Sequence, residues 1–213
     1  LYRALHDYSN SEKYYKLALE NYELLFKQTP NAYRTELART YWNLMLLFGE
    51  MNDLEQYDLS LESALKLYKE LYLSQSSVYI NYVIKLQNRK VWRLLVNGKI
   101  DEAMVLAQET YALDESNETS KAYLAKCYNS KAYEYAETSD YVNAYKSIDK
   151  AISMLPNEAN FYDSKGKILL MQGKNTEALE MWKKVMELKP NFLNDYPDGT
   201  NLSNGLKKLG LIE

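Results

Sequence analysis

Asp140–Pro156 reads DYVNAYKSIDKAISMLP, and Lys174–Pro190 reads KNTEALEMWKKVMELKP. Superposed with Ala144 on Ala178, both place a bulky apolar residue four positions after that small one (Ile148, Trp182). Another apolar residue follows three further on (Ala151, Val185), and a proline closes each stretch (Pro156, Pro190). Spacings of four and three hold side chains on one helix face, and proline cannot continue a helix interior. Weaker copies lie upstream: Ala18, Tyr22, Leu25 and Pro30; then Tyr57, Leu61 and Ala64; then Ala103, Ala107 and Thr110. The anchors fall at 18, 57, 103, 144 and 178, with the longest step between 57 and 103 and the shortest between 144 and 178. Unequal steps read as helices lengthened by a turn or two within one repeated pattern.

Each copy is read as half of a helical hairpin. Asn52, Gly98, Ser139 and Gly173 stand five residues before four of the anchors. Gly and Asn tolerate a left-handed backbone, so these positions predict tight turns between helices. Before each turn runs a second apolar stripe: Tyr41, Met45 and Phe48; Val91 and Leu94, with Gln87 interrupting; Tyr128, Ala132 and Tyr135; Tyr162, Gly166 and Leu169. Small residues at Ala132 and Gly166 let the paired helix approach closely. Caps are expected at Asn31, at Asn157, at Ser139 or Asp140, and from a Ser9-x-x-Glu12 box. No window alternates as a strand would. The predicted fold class is all-α.

Composition narrows the function. The 213 residues carry a net charge of −3, with 46% apolar and 26% charged side chains, and only seven Gly and four Pro. That balance gives no electrostatic footprint for nucleic acid. The longest apolar runs, Leu44–Phe48 and Ile168–Met171, are too short for a membrane span. A single Cys127 excludes an internal disulfide, and a single His6 leaves little for a metal site, so no metal and no cofactor is expected. There is no Gly-rich phosphate loop, no His-Glu-x-x-His and no nucleophile elbow. Cys127 has no His nearby in sequence and reads as a structural thiol. An enzyme is not expected. The lone thiol suits the cytoplasm by default, and equally an exported bacterial protein without disulfides.

These residues resemble the tetratricopeptide repeat, whose period is about 34 residues. Tyr128, Ala132, Tyr135, Ala144, Ile148, Ala151 and Pro156 match its large and small positions, as do Tyr162, Gly166, Leu169, Ala178, Trp182, Val185 and Pro190. Thr29–Leu71 resembles the longer kinesin-light-chain-like bacterial variety. The resemblance implies a right-handed α-solenoid of antiparallel helical hairpins over 1–190, about five repeats with the first truncated. It also implies a protein- or peptide-binding role. Residues 191–213 are expected to form an irregular segment followed by a capping helix over 200–209, with Leu202, Leu206 and Leu209 at helical spacing. The chain opens without Met, and Leu1–Tyr8 reads as a remnant of a helix whose upstream part is missing.

A candidate surface follows from helix geometry. With each anchor numbered 20, the hairpin stripe of the first helix falls at positions 4, 8 and 11. Positions 2, 5, 9 and 12 then face away from the partner helix, since 100° per residue puts position 2 some way round from position 4. In the resembled family this second stripe lines the concave groove. It holds Arg39, Trp42 and Leu46; Lys85, Asn88 and Trp92, beside Arg89; Lys126, Asn129 and Tyr133; and Asn160, Asp163 and Lys167. Position 2 is basic in three successive repeats, and position 9 is apolar or aromatic in the same three. That is a ladder of cations beside a ledge of rings, suited to an extended peptide with acidic groups. The aromatic residues serve equally well as packing against a neighbouring helix, Trp42 above all. The expected function is a non-enzymatic scaffold binding a partner polypeptide in its groove. The alternatives are a self-associating assembly segment and a regulatory domain of a longer protein.

Overall fold

The computed structural model describes residues 7–192 and 201–208. They form ten helices: α1 (Tyr8–Gln28), α2 (Pro30–Glu50), α3 (Leu54–Ser74), α4 (Ser76–Val96), α5 (Ile100–Leu113), α6 (Glu118–Glu137), α7 (Tyr141–Met154), α8 (Ala159–Met171), α9 (Asn175–Leu188) and α10 (Asn201–Lys208). No strand occurs among the described residues. The chain divides into two compact units, Leu1–Lys90 and Val91–Glu213, and α4 contributes to both.

In the first unit α1 packs on α2 and α2 on α3. Met45 and Phe48 of α2 are buried, as are Tyr57, Leu61 and Ala64 of α3, so both predicted stripes face inward. In the second unit Val91 and Leu94 pack with Ala103, Ala107, Leu124 and Cys127. Ala132, Ala144, Ile148, Ala151 and Phe161 form the next cluster. Ala178, Trp182, Val185, Phe192 and Leu202 form the last. Ala103, Ala144 and Ala178 are wholly buried, which is why no larger side chain stands there: helix axes approach only as closely as their contact residues permit.

All four predicted turn residues have a left-handed backbone, with φ of 57° at Asn52, 70° at Gly98, 63° at Ser139 and 83° at Gly173. The caps differ from expectation in part. Asp140 accepts from the Asn143 amide at 3.2 Å, as predicted. At α1, however, Asp7 caps through the Asn10 amide at 3.2 Å, and Ser9 lies inside the helix. Asn31 is likewise internal, because Pro30 already occupies the first helical turn after Thr29. Glu158, not Asn157, caps α8. The carboxylate of Glu158 also gains from the positive end of the helix dipole.

One device escaped the sequence pattern. Lys90, Lys131 and Lys165 share the same place in their repeats, thirteen residues before the anchors at 103, 144 and 178. Lys90 pairs with Glu62 at 2.7 Å and Lys165 with Asp149 at 2.7 Å, each on the preceding helix partner. Where that register carries neutral Gln108, Lys131 reaches back to Asp101 at 2.6 Å instead. Such solvated pairs contribute only about 0–1 kcal/mol each to stability.

In the segment read as a capping helix lies α10, which packs on α8. Leu202 is buried and Leu206 half-buried against the Trp182 cluster, while Leu209 lies outside the described residues. Trp182 itself lies between two glycines. A Cβ at Gly166 would stand 2.5 Å from its Nε1, and one at Gly205 would overlap its Cη2. Next to the indole a cleft of about 660 Å³ opens between α9 and α10, lined by Leu179, Met186, Leu202 and Leu206.

Candidate functional site

Five of the stripe residues fall in the first unit, with Arg89 beside them. Arg39, Trp42 and Leu46 lie on α2; Lys85, Asn88 and Arg89 lie on α4. Arg39 and Lys85 are exposed, Leu46 is half-buried, and Asn88 is buried. Arg89 donates to the Tyr57 hydroxyl at 3.5 Å. Trp42 stands at right angles to two tyrosines, 6.2 Å from Tyr68 and 5.9 Å from Tyr82. Those two rings are themselves stacked, 4.7 Å apart and within 2° of parallel. Tyr79 tilts against both, and its hydroxyl shares a 3.2 Å hydrogen bond with Thr35. Burial pushes the Tyr68 phenol up to about 12, with the charge of Arg39 pulling the other way. The packing role foreseen for Trp42 is therefore real, and the ring array it joins includes Tyr68, Tyr79 and Tyr82, which the repeat frame missed.

The remaining seven lie in the second unit, Asn160 and Asp163 among them. Trp92 is 41% exposed, with the Arg93 guanidinium 5.7 Å from its ring centroid. Lys126 is exposed, its ammonium 5.3 Å from the Tyr123 ring. Asn129 and Lys167 are half-buried. Tyr133 accepts a hydrogen bond from the side-chain amide of Asn201, at the start of α10. The Asn201 backbone N–H donates to Asp163 at 3.3 Å. Two members of the stripe, Tyr133 and Asp163, are thus engaged by the chain's own end helix.

Asp163 is only 6% exposed. Burial raises its carboxyl above the ordinary value of 3.8, although the amides of Leu202 and Asn201 favour the charged form. The folded state therefore holds that proton more tightly than the unfolded chain. Stability from this group is greatest below the ordinary carboxyl range and is lost as pH rises through the elevated value. Asn at this position stays neutral throughout and keeps an oxygen acceptor. Asp163→Asn is accordingly expected to raise the melting temperature at pH 7, and to make no difference once Asp163 itself is protonated. Thermal melts across pH 3–8 check both limbs.

Cys127 is wholly buried, and burial pushes its thiol up to about 12, the opposite of an activated nucleophile. Among the described residues no three His, Cys, Asp or Glu side chains are placed to hold a metal, and no helix is long and apolar enough to cross a membrane.

No family model matches the chain. Over 74 residues, 35% of this chain, it is 39% identical to the Protein STIP1 homolog of Dictyostelium discoideum, and it spans 13% of that protein's length. The crystal structure of BtubC (BKLC) from P. vanneervenii superposes with a TM-score of 0.55 over 96% of this chain and 85% of that one, at 13% identity. A crystal structure of MamA protein gives a TM-score of 0.49 over 82% and 83% of the two chains, at 16% identity. At so low an identity the likeness to BtubC is one of fold. Hairpins joined by left-handed turns, with small buried anchors at a recurring step, define a helical-repeat protein. This chain has the fold of tetratricopeptide-repeat solenoids.

Proposed function

We propose that the chain is a non-enzymatic interaction module that holds a polypeptide on the second stripe of the first helices within each of its units, with acidic groups of the partner on the basic residues. The observation that supports this reading is that the stripe's basic residues are exposed and available. Arg39, Lys85 and Lys126, on the stripe, make no ion pair among the described residues, although each is exposed. Free cations beside rings orient a carboxylate-bearing ligand, and desolvated aromatic surface supplies most of the affinity.

Reversing two of these charges tests the reading. Lys85→Glu together with Lys126→Glu is expected to weaken binding to an acidic peptide array by roughly tenfold or more at low salt, since like charges brought together repel. The wild-type affinity is expected to fall as salt is added. Peptide binding unchanged by the double reversal, measured by fluorescence anisotropy, would show that the stripe is only solvated surface.

A second reading, self-association, has its own support. Leu17 and Leu24 of α1 are 53% and 58% exposed, with Tyr14 beside them at 49%. The same register in the other anchor-bearing helices is polar: Gln56 and Ser63, Glu102 and Glu109, Asn143 and Lys150, Glu177 and Lys184.

A further inference from the structure

Between α1, α2 and α3 of the first unit lies a cavity of about 430 Å³. Its apolar wall is Phe26, Leu37 and Leu67, one residue from each helix, with both leucines buried and Phe26 half-buried. The two carboxylates that line it already have partners within the fold. Glu23 accepts from the Tyr41 hydroxyl at 2.5 Å, and Glu70 pairs with the Arg34 guanidinium at 3.1 Å. That guanidinium stands 5.8 Å from the Phe26 ring centroid. Lys27 and Lys66 line the same cavity, are exposed, and make no ion pair among the described residues. They share one place in the repeat, nine residues after the anchors at 18 and 57. The later copies hold Ala112, Ser153 and Glu187 there, so the lysine pair belongs to the first unit alone.

We propose that this cavity binds a small monocarboxylate with an apolar body, such as a medium-chain fatty acid, its carboxylate on Lys27 and Lys66 and its body on Phe26, Leu37 and Leu67. Three observations favour this ligand. Two unpaired ammonium groups on one cavity repel each other, and an anion placed on both relieves that repulsion. A single negative charge matches the wall, where Arg34, Lys27 and Lys66 stand against only Glu23 and Glu70. A small molecule matches the volume, since ligand pockets of this size are mostly apolar with a few placed polar groups. The cavity is independent of the polypeptide-binding reading above, because none of Arg39, Trp42 and Leu46 lines it.

The test titrates octanoate, octan-1-ol and octylammonium into the intact chain and follows the methyl resonances of Leu37 and Leu67 by NMR. Octanoate is expected to bind roughly tenfold more tightly than octanol, the scale of one charge-assisted contact, and octylammonium more weakly than either. Lys27→Gln combined with Lys66→Gln should remove the preference for octanoate and leave the affinity for octanol unchanged. Both lysines are exposed, and circular dichroism establishes that the helices of this variant remain. Ser63→Phe, which places a ring in the cavity from α3, should block octanoate and octanol alike. Lys85→Gln with Lys126→Gln, on the stripe, should change neither. Equal affinity for the three probes overturns the proposal, as does a preference for octanoate that survives the loss of Lys27 and Lys66. Octanoate binding that leaves the Leu37 and Leu67 methyls unmoved, or no saturable binding of octanoate, overturns it too.

Discussion

Trp182→Ala is expected to cost the second unit about 3–5 kcal/mol, the range for emptying a large aromatic site in a core. The indole is 1% exposed and belongs to the cluster that includes Ala178, Val185, Phe192 and Leu202. Its neighbours cannot close over the space, because Gly166 and Gly205 on either side carry no side chain with which to do so. The loss falls hardest on α10, whose Leu202 and Leu206 meet this cluster. Eight residues do not hold a helix unaided, so α10 should unfold with the loss of its seat. Urea titration followed by circular dichroism reads the total, and limited proteolysis of the C-terminal segment reads the release of α10. A cost below about 1 kcal/mol would mean that the ring is not what seats the end helix, since fully buried aromatics do not normally come out so cheaply.

The place of Trp182 could be read from the sequence because two copies of the pattern superpose with Ala144 on Ala178. Its alignment with Ile148 marks it as a buried contact. The turns were legible for a related reason. A left-handed backbone restricts residue choice, so Asn52, Gly98, Ser139 and Gly173 announce themselves by type and spacing together. Tyr82 and Tyr79 were not legible. The repeat frame begins at position 2 of each first helix, whereas α4 begins at Ser76, nine residues before Lys85, and its additional turns carry the ring array. Asp163 was placed on the open stripe, yet it is buried, because the pattern of one hairpin says nothing about Asn201 arriving from 38 residues away. Sequence periodicity reports which face of a helix is inward. It is silent about which outward face a later segment will cover. The paired lysines at 90, 131 and 165 fall between these cases: their register is regular, but a solvated lysine looks the same in sequence as a clasped one.

Gly205→Ala should show how tightly the indole is held. A methyl there overlaps Cη2 of Trp182, and the ring cannot retreat, since the backbone of Gly166 backs it within a distance that leaves no room for a Cβ. Either α10 shifts outward or the ring leaves its seat, at an expected cost of about 1–3 kcal/mol for overpacking. In a Trp182→Ala background the same substitution meets no ring, and the methyl refills part of the vacated space. Its effect should fall to zero or change sign, giving a coupling of at least about 1 kcal/mol in a double-mutant cycle, as expected for residues in direct contact. Gly166→Ala should behave in the same way. Gly173→Ala supplies the contrast: no atom lies within 4 Å of its Cβ position, and its φ of +83° makes the penalty one of backbone strain. That penalty should be the same whether residue 182 is tryptophan or alanine. If Gly205→Ala costs as much without the indole as with it, the close approach of α10 is set by its backbone, and Trp182 is a bystander to the docking.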